Sequence, residues 1–189
     1  AGGSGFLGCS LAGPLLDRDF DVIVLTRSPG AEAGRVREIA WDGKTLGAWT
    51  RLVDGAEAVV NFSGKSVNCR YTPENRREIN ESRVDSVRVI DEAILGCAQP
   101  PRVLIQAASL AIYGDARDRW CDESAAPGEG FPVETCRLWE SAFNATVTPH
   151  TRRVLLRIGF VLGRSGGALK TLARLAKWGL GGTVGNGRQ

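Results

Sequence analysis

The chain has 189 residues, carries a net charge of +3, and is 43% hydrophobic and 24% charged, enough apolar material for a sizeable globular core. No apolar run approaches the roughly 18 residues that a membrane helix requires. The basic residues are spread out, apart from Lys170, Arg174 and Lys177 near the end, which argues against nucleic acid or a membrane as partner.

In chain order, AGGSGFLG leads into an apolar helix marked by Leu7, Leu11 and Leu15, with Pro14 inside it expected to remove a hydrogen bond or kink it. Phe20–Leu25 is predicted as a strand, Ile39–Trp41 as a weaker one and Ala56–Phe62 as a strong one. A long helix is predicted from Thr72-Pro73-Glu74, with Thr as N-cap and Pro at the first helical position. Its stripe runs Ile79, Val87, Ile90, Ile94, Cys97, and Pro100-Pro101 closes it. Strands at Val103–Ala107 and Arg153–Leu162 alternate with helices over Val133–Ala145 and Ala168–Trp178, the last ended by Gly179. Consecutive apolar, β-branched strand positions point to parallel strands covered on both faces. The alternation predicts a Rossmann-type doubly wound parallel sheet forming one domain over 1–189. Cys9, Cys69, Cys97, Cys121 and Cys136 are odd in number and lack CxxC spacing, so reduced thiols in a cytoplasmic protein are expected rather than a disulfide frame or a zinc site.

Gly2, Gly5 and Gly8 have G-x-x-G-x-x-G spacing at the point where a first strand would turn into its helix. One glycine makes the turn, the next lets backbone approach a pyrophosphate, and the third packs helix on strand. The helix N-terminus then offers free N–H groups to phosphate. The alternative is an unrelated Gly-rich turn. On this reading the chain begins one element late, without its first strand or any visible leader. About 20 residues past the glycines, an acid would hold the ribose 2′-OH of NAD. Thr26-Arg27 stands there instead, and the guanidinium fork suits the 2′-phosphate of NADP(H), the alternative being a plain exposed surface arginine.

Together, GGSGFLG, VLTRSPG, IAWDG, AVVNFSG, INESRV, AIYGD, CRLWE and LLRIGFVLGRSGGAL with GLGG…GNGRQ resemble the extended short-chain dehydrogenases/reductases. Within that superfamily they resemble its atypical epimerase branch, the NAD(P)-dependent sugar-nucleotide epimerase-like proteins. The resemblance implies a C-terminal substrate-binding portion that this chain lacks. It also implies cofactor contacts from Gly2, Gly5, Phe6, Leu7, Gly8, Thr26 and Arg27, and from Phe62, Ser63 and Gly64 after the strong strand. Asp42 resembles an acid near the adenine, or is a plain turn aspartate. Arg83 faces the apolar stripe and must find a partner. With Glu78 it resembles a glutamate–arginine pair near the dinucleotide, or it forms an ion pair of structural use only. Val161 resembles an apolar residue beside the nicotinamide, or is a core valine.

The superfamily's acid/base machinery is a serine with a Y-x-x-x-K pair on one helix, the lysine lowering the tyrosine's pKa. Ser109-Leu110-Ala111-Ile112-Tyr113-Gly114 keeps the serine, but Val133 and Arg137 occupy the tyrosine and lysine positions. Valine transfers no proton, and arginine is a fixed charge. The substitutes are Tyr113, with Ser109 nearby and Arg137 as supporting cation, and Glu134 as a second candidate. Tyr113 also reads as a pocket-wall aromatic, and His150 as a surface residue. The resulting expectation is an NADP(H)-binding oxidoreductase or epimerase acting on a small hydroxylated substrate, with a homodimer as the candidate assembly. The rival is a non-catalytic NADPH-binding sensor or interaction module that has lost the tyrosine–lysine pair.

Overall fold

The computed structural model describes residues 1–30, 35–163 and 166–183. Helix α1 (Phe6–Leu16) leads to strand β1 (Val22–Thr26), β2 (Val36–Ala40) and β3 (Ala58–Asn61). There follow α2 (Pro73–Leu95), β4 (Val103–Ser109), α3 (Phe131–Asn144), β5 (Arg152–Ile158) and α4 (Ala168–Lys177). Every strand pair is parallel: β1 with β2, and β4 between β3 and β5. Parallel sheets with flanking helices give a Rossmann-like architecture. The first two residues join the sheets. Ala1 N donates to Val60 O and Ala1 O accepts from Phe62 N, while Gly2 N donates to Leu25 O.

Local chemistry sets the element ends. Thr72 caps α2, its hydroxyl accepting from the Asn75 N–H at 3.3 Å, and Pro73 opens the helix, where its missing N–H costs nothing. Helix α1 continues through Pro14 and ends two residues later. The residue before the proline is Gly13, which has no Cβ for the ring to strike, so the helical conformation survives there. β5 stops at Ile158 rather than Leu162 because Ile158 pairs with Ser109, the last residue of β4. Beyond Ser109 the chain tightens into a 3-10 turn, Leu110–Tyr113, that the sequence patterning did not indicate.

The core lies between the sheets and α2–α3. Val87, Ile90 and Ile94 of α2 pack with Trp139 and Phe143 of α3, Leu104 and Ala107 of β4, and the Trp41–Trp49 pair, whose rings meet edge to face at 5.3 Å. Full burial of each large apolar side chain contributes about 1.5–3 kcal/mol. One buried ion pair crosses this layer. Arg153 of β5 holds Asp91 of α2 through two hydrogen bonds, 2.7 and 3.1 Å, donates to Phe143 O at 2.6 Å, and lies 4.1 Å from the Phe143 ring centroid. Among the described residues, no helix is long and apolar enough to cross a membrane.

Candidate functional site

Each glycine of the opening loop has a separate structural reason. Gly2 has φ +67°, and a Cβ there would lie 2.9 Å from the Phe62 carbonyl carbon and the Ser63 nitrogen. Gly8 packs on the loop itself, where a Cβ would sit 2.3 Å from Gly3 Cα. The third glycine thus closes helix on loop, not helix on strand as the spacing suggested. Gly5 is the N-cap of α1 and supplies no side-chain cap. The first intrahelical donor is Cys9 N, bonded to Gly5 O at 2.9 Å, so the N–H groups of Phe6, Leu7 and Gly8 have no intrahelical acceptor. A hydrogen bond of 3.2 Å between the Ser4 and Thr26 hydroxyls ties this loop to the end of β1.

The C-terminal ends of β1, β2 and β3 converge on a cavity of about 490 Å³ beside the loop. Of the residues that the family resemblance assigns to the cofactor, Gly2, Gly5, Thr26, Arg27, Asp42, Phe62, Ser63 and Gly64 line it. Trp41, Lys44, Lys65, Ser82 and Ser86 also line it, and the sequence reading had not singled them out. The signal for the two lysines was adjacency: Lys44 follows IAWDG and Lys65 follows AVVNFSG directly. A second concavity of about 510 Å³ lies along α4. Its wall is Gly163 and α4, a helix with no buried residue, and it shares no lining residue with the glycine loop, so the candidate site is the first cavity.

A buried polar network supports the cavity floor. Asn61 Nδ2 donates to Ser86 Oγ and Gln106 Oε1, while Asn61 Oδ1 accepts from Ser63 N at 3.0 Å. The bend after β3 is thereby fixed, and Ser63 Oγ is left buried without a partner.

Arg83 does not pair with Glu78. Five residues on a helix separate side chains by about 140° around the axis, so the two point apart. Arg83 Nη1 instead donates to Lys65 O at 3.1 Å and Ile79 O at 2.9 Å, and the guanidinium lies 5.0 Å from the Trp139 ring centroid. It holds the 63–65 bend from below, and burial depresses its pKa. Glu78 bonds Lys65 Nζ, which also donates to Asn75 Oδ1 at 2.8 Å, and that contact holds the carboxyl below its usual range. Asp42 makes the turn after β2. Its carboxylate accepts from Lys44 N, Thr45 N and the Thr45 hydroxyl at 2.8, 2.9 and 2.6 Å. Those bonds lower its pKa to about 2.

The expected catalytic residues lie elsewhere, and their geometry corrects the sequence reading. The Tyr113 hydroxyl donates to Asp122 O at 2.7 Å and accepts from Arg157 Nη1 at 2.7 Å. Its cation is therefore Arg157 of β5, not Arg137. Arg137 is exposed and reaches toward Gly128 O at 3.5 Å, because the Tyr113 ring turns toward the 122–124 loop that Arg157 also meets. Glu140 grips Arg157 with two bonds of 2.9 Å and raises its pKa further. Ser109 caps the 3-10 turn, accepting from Ala111 N at 3.1 Å. Val133 is buried, Cys136 beside it is a buried thiol whose pKa burial raises, and Glu134 is exposed. The Phe6 ring packs under Gly163, Gly166 and Gly167, and Val161 is exposed and does not line the cavity. The parts of the resemblance motifs at 164–165 and 184–189 lie outside the described residues.

Residues 1–147 match the NAD dependent epimerase/dehydratase family. An epimerase family protein of Mycobacterium leprae is 31% identical over the whole chain, which spans 60% of that relative. Across the first curated relatives, including an Arabidopsis thaliana chloroplastic homologue of epimerase family protein SDR39U1, the chain spans 55–62% of their length. Among solved structures, the human epimerase family protein SDR39U1 with NADPH aligns over the whole chain and 62% of its own, at 30% identity and TM-score 0.83. A nucleoside-diphosphate sugar epimerase from Corynebacterium glutamicum aligns over 98% of the chain and 38% of its own, at 28% identity and TM-score 0.80.

Proposed function

Because the chain belongs to the NAD dependent epimerase/dehydratase family, we propose that it binds NADP(H) in the 490 Å³ cavity and serves oxidoreductase or epimerase chemistry on a small hydroxylated substrate. One observation carries this reading: an uncapped helix N-terminus, a glycine cradle that a Cβ would fill, and Arg27 all face one cavity. The residues suit the group. Gly2, Gly5 and the N–H groups of Phe6, Leu7 and Gly8 would hold the pyrophosphate, as backbone donors at a helix N-terminus do. Thr26 and Arg27 would take the adenosine ribose with its 2′-phosphate, and Phe62, Ser63 and Gly64 would run beside the cofactor. Arg83 keeps that bend in place from underneath. When bound, the nicotinamide carries hydride, and the protein supplies position and proton handling. The human relative's structure with NADPH supports the choice of cofactor. The name of the Corynebacterium relative supports a hydroxylated substrate.

A second reading is favoured by a specific observation. The Tyr113 hydroxyl is fully engaged and buried Val133 fills the superfamily's tyrosine position, so a non-catalytic NADPH-binding sensor or interaction module also suits this geometry. Two measurements test the proposal. NADPH should bind about tenfold or more tightly than NADH, since a charge-assisted contact contributes about 1.5–3 kcal/mol, and Arg27→Ala should erase the preference. Equal affinities in the unaltered chain would overturn the NADP(H) assignment. Turnover across a panel of hydroxy and carbonyl compounds separates the two readings, and silence with intact NADPH binding selects the second.

A further inference from the structure

Lys44 and Arg27 line one cavity for a structural reason. β1 and β2 are neighbours in register, Thr26 opposite Ala40, and the Trp41 N–H donates to Thr26 O at 3.0 Å. The two segments leaving the strand ends, Arg27–Ser28 and Asp42–Lys44, therefore lie side by side, and both line the same cavity. Gly43, at φ +78°, turns the chain back so that Asp42 accepts the Lys44 N–H, which fixes the backbone that carries the lysine. Asp42 is held on this turn by three hydrogen bonds, and no ion pair joins it to Lys44 or Arg27 among the described residues.

The lysine's remaining restraint is weak. Its ammonium lies 3.5 Å from Asp85 Oδ2, with the Lys44 side chain 59% and the Asp85 side chain 29% exposed, and a single long contact from an exposed lysine contributes little. Lys65, the other lysine lining the cavity, is committed to Glu78 and Asn75. Arg27 makes no ion pair among the described residues. Two cations without a strong partner among the described residues thus line one cavity, on segments that leave neighbouring strands, and a dianionic phosphate there would gain from both.

Resting on the NADP(H) reading, we infer that Lys44 is the second cation of the 2′-phosphate site, paired with Arg27 and drawn from Asp85 when the phosphate binds. Lys44 is then a specificity residue: it acts on the phosphate that distinguishes NADP(H) from NAD(H). The arrangement has a built-in competitor, since Asp85 and the phosphate claim the same ammonium.

The experiment is calorimetric titration of the full chain with NADPH, NADH, 2′,5′-ADP and 5′-AMP. Lys44→Gln should weaken NADPH and 2′,5′-ADP by about three- to tenfold and leave NADH and 5′-AMP within twofold, as expected for a partly screened charge contact. Lys44→Arg should retain most of the affinity. Asp85→Asn, which removes the competitor, should tighten NADPH by about twofold, a change that a merely structural Lys44–Asp85 pair would not produce. The inference is overturned if Lys44→Gln weakens both cofactors equally or neither. If Arg27→Ala abolishes the NADPH preference while Lys44→Gln does not touch it, the inference alone fails. If the unaltered chain shows no preference for the 2′-phosphate in either ligand pair, the NADP(H) reading fails and takes the inference with it.

Discussion

The cavity at the ends of β1, β2 and β3 and the cluster joining β5 to α3 are both rich in polar groups, yet they differ in how those groups are satisfied. Around the cavity, donors are left open: the first N–H groups of α1, the Ser63 hydroxyl and the charge of Arg27, with Lys44 held only by Asp85 at 3.5 Å. Around β5 and α3, the two partly buried arginines of β5 are matched. Arg157 holds Glu140, Tyr113 and Glu123 O, and Arg153 holds Asp91, Thr148 and Phe143 O. Buried side-chain atoms without a partner occur at both ends, Ser63 Oγ at the cavity and Trp139 Nε1 and Thr151 Oγ1 near β5 and α3. What sets the cavity apart is the convergence of free α1 N–H groups, the glycine loop and Arg27 on one space. The matched end reads as a joint between elements.

The largest effect should come from breaking the joint. Asp91→Ala leaves Arg153 buried and unpaired, a change that destabilises by about 3–5 kcal/mol. Denaturant unfolding should show that loss, while NADPH affinity measured well below the transition stays unchanged. Replacing both partners with apolar residues, Asp91→Leu with Arg153→Met, should recover most of the stability. A fully recovered single variant would mean that Arg153 finds another counter-charge.

Tyr113→Phe sharpens the comparison at the same end. The lost hydroxyl served two partners, and a buried group left without its bond costs about 1–3 kcal/mol. The expected outcome is a lower unfolding midpoint with NADPH binding intact. If stability holds and turnover collapses instead, Tyr113 belongs to the reacting centre after all. At the cavity end, Gly2→Ala combines a positive φ with a backbone clash, strain of about 1–3 kcal/mol placed directly in the loop. It should weaken NADPH binding about tenfold or more. An unchanged affinity would remove the loop from cofactor binding.

The contrast between the two ends was itself half legible in the sequence. The opening glycines, Arg27 and the NFSG bend stand at strand ends, where the pattern of apolar runs locates them without any knowledge of side-chain direction. Thr72-Pro73 marked the start of α2 because capping is a local interaction. Arg157 was invisible as the partner of Tyr113, since 44 residues separate them and only the pairing of β5 with β4 brings them together. The Glu78–Arg83 pairing failed for the opposite reason: closeness in sequence on a helix does not place two side chains on one face. The NADP(H) proposal rests partly on the residues and partly on family resemblance, and the glycine loop alone leaves the choice of dinucleotide open.

The smallest predicted effect concerns Asp42, and it tests whether the turn that presents Lys44 is fixed in advance. Three hydrogen bonds favour the ionised carboxylate, lowering its pKa from 3.8 to about 2. A carboxylate depressed in the folded state stabilises the fold above its unfolded value, and that contribution fades as pH falls from 3.8 through 2. The group is exposed and screened, so the gain in stability is small even though the shift is not. Carbon-detected NMR of the Asp42 carboxyl should place its midpoint near pH 2. Thr45→Val removes the hydroxyl donor and should move that midpoint back toward 3.8. An Asp42 that already titrates at 3.8 in the unaltered chain would mean an open turn. Lys44 would then reach the cavity by chance of rotamer, and the difference between a prepared end and a matched end would narrow to the glycine loop and Arg27.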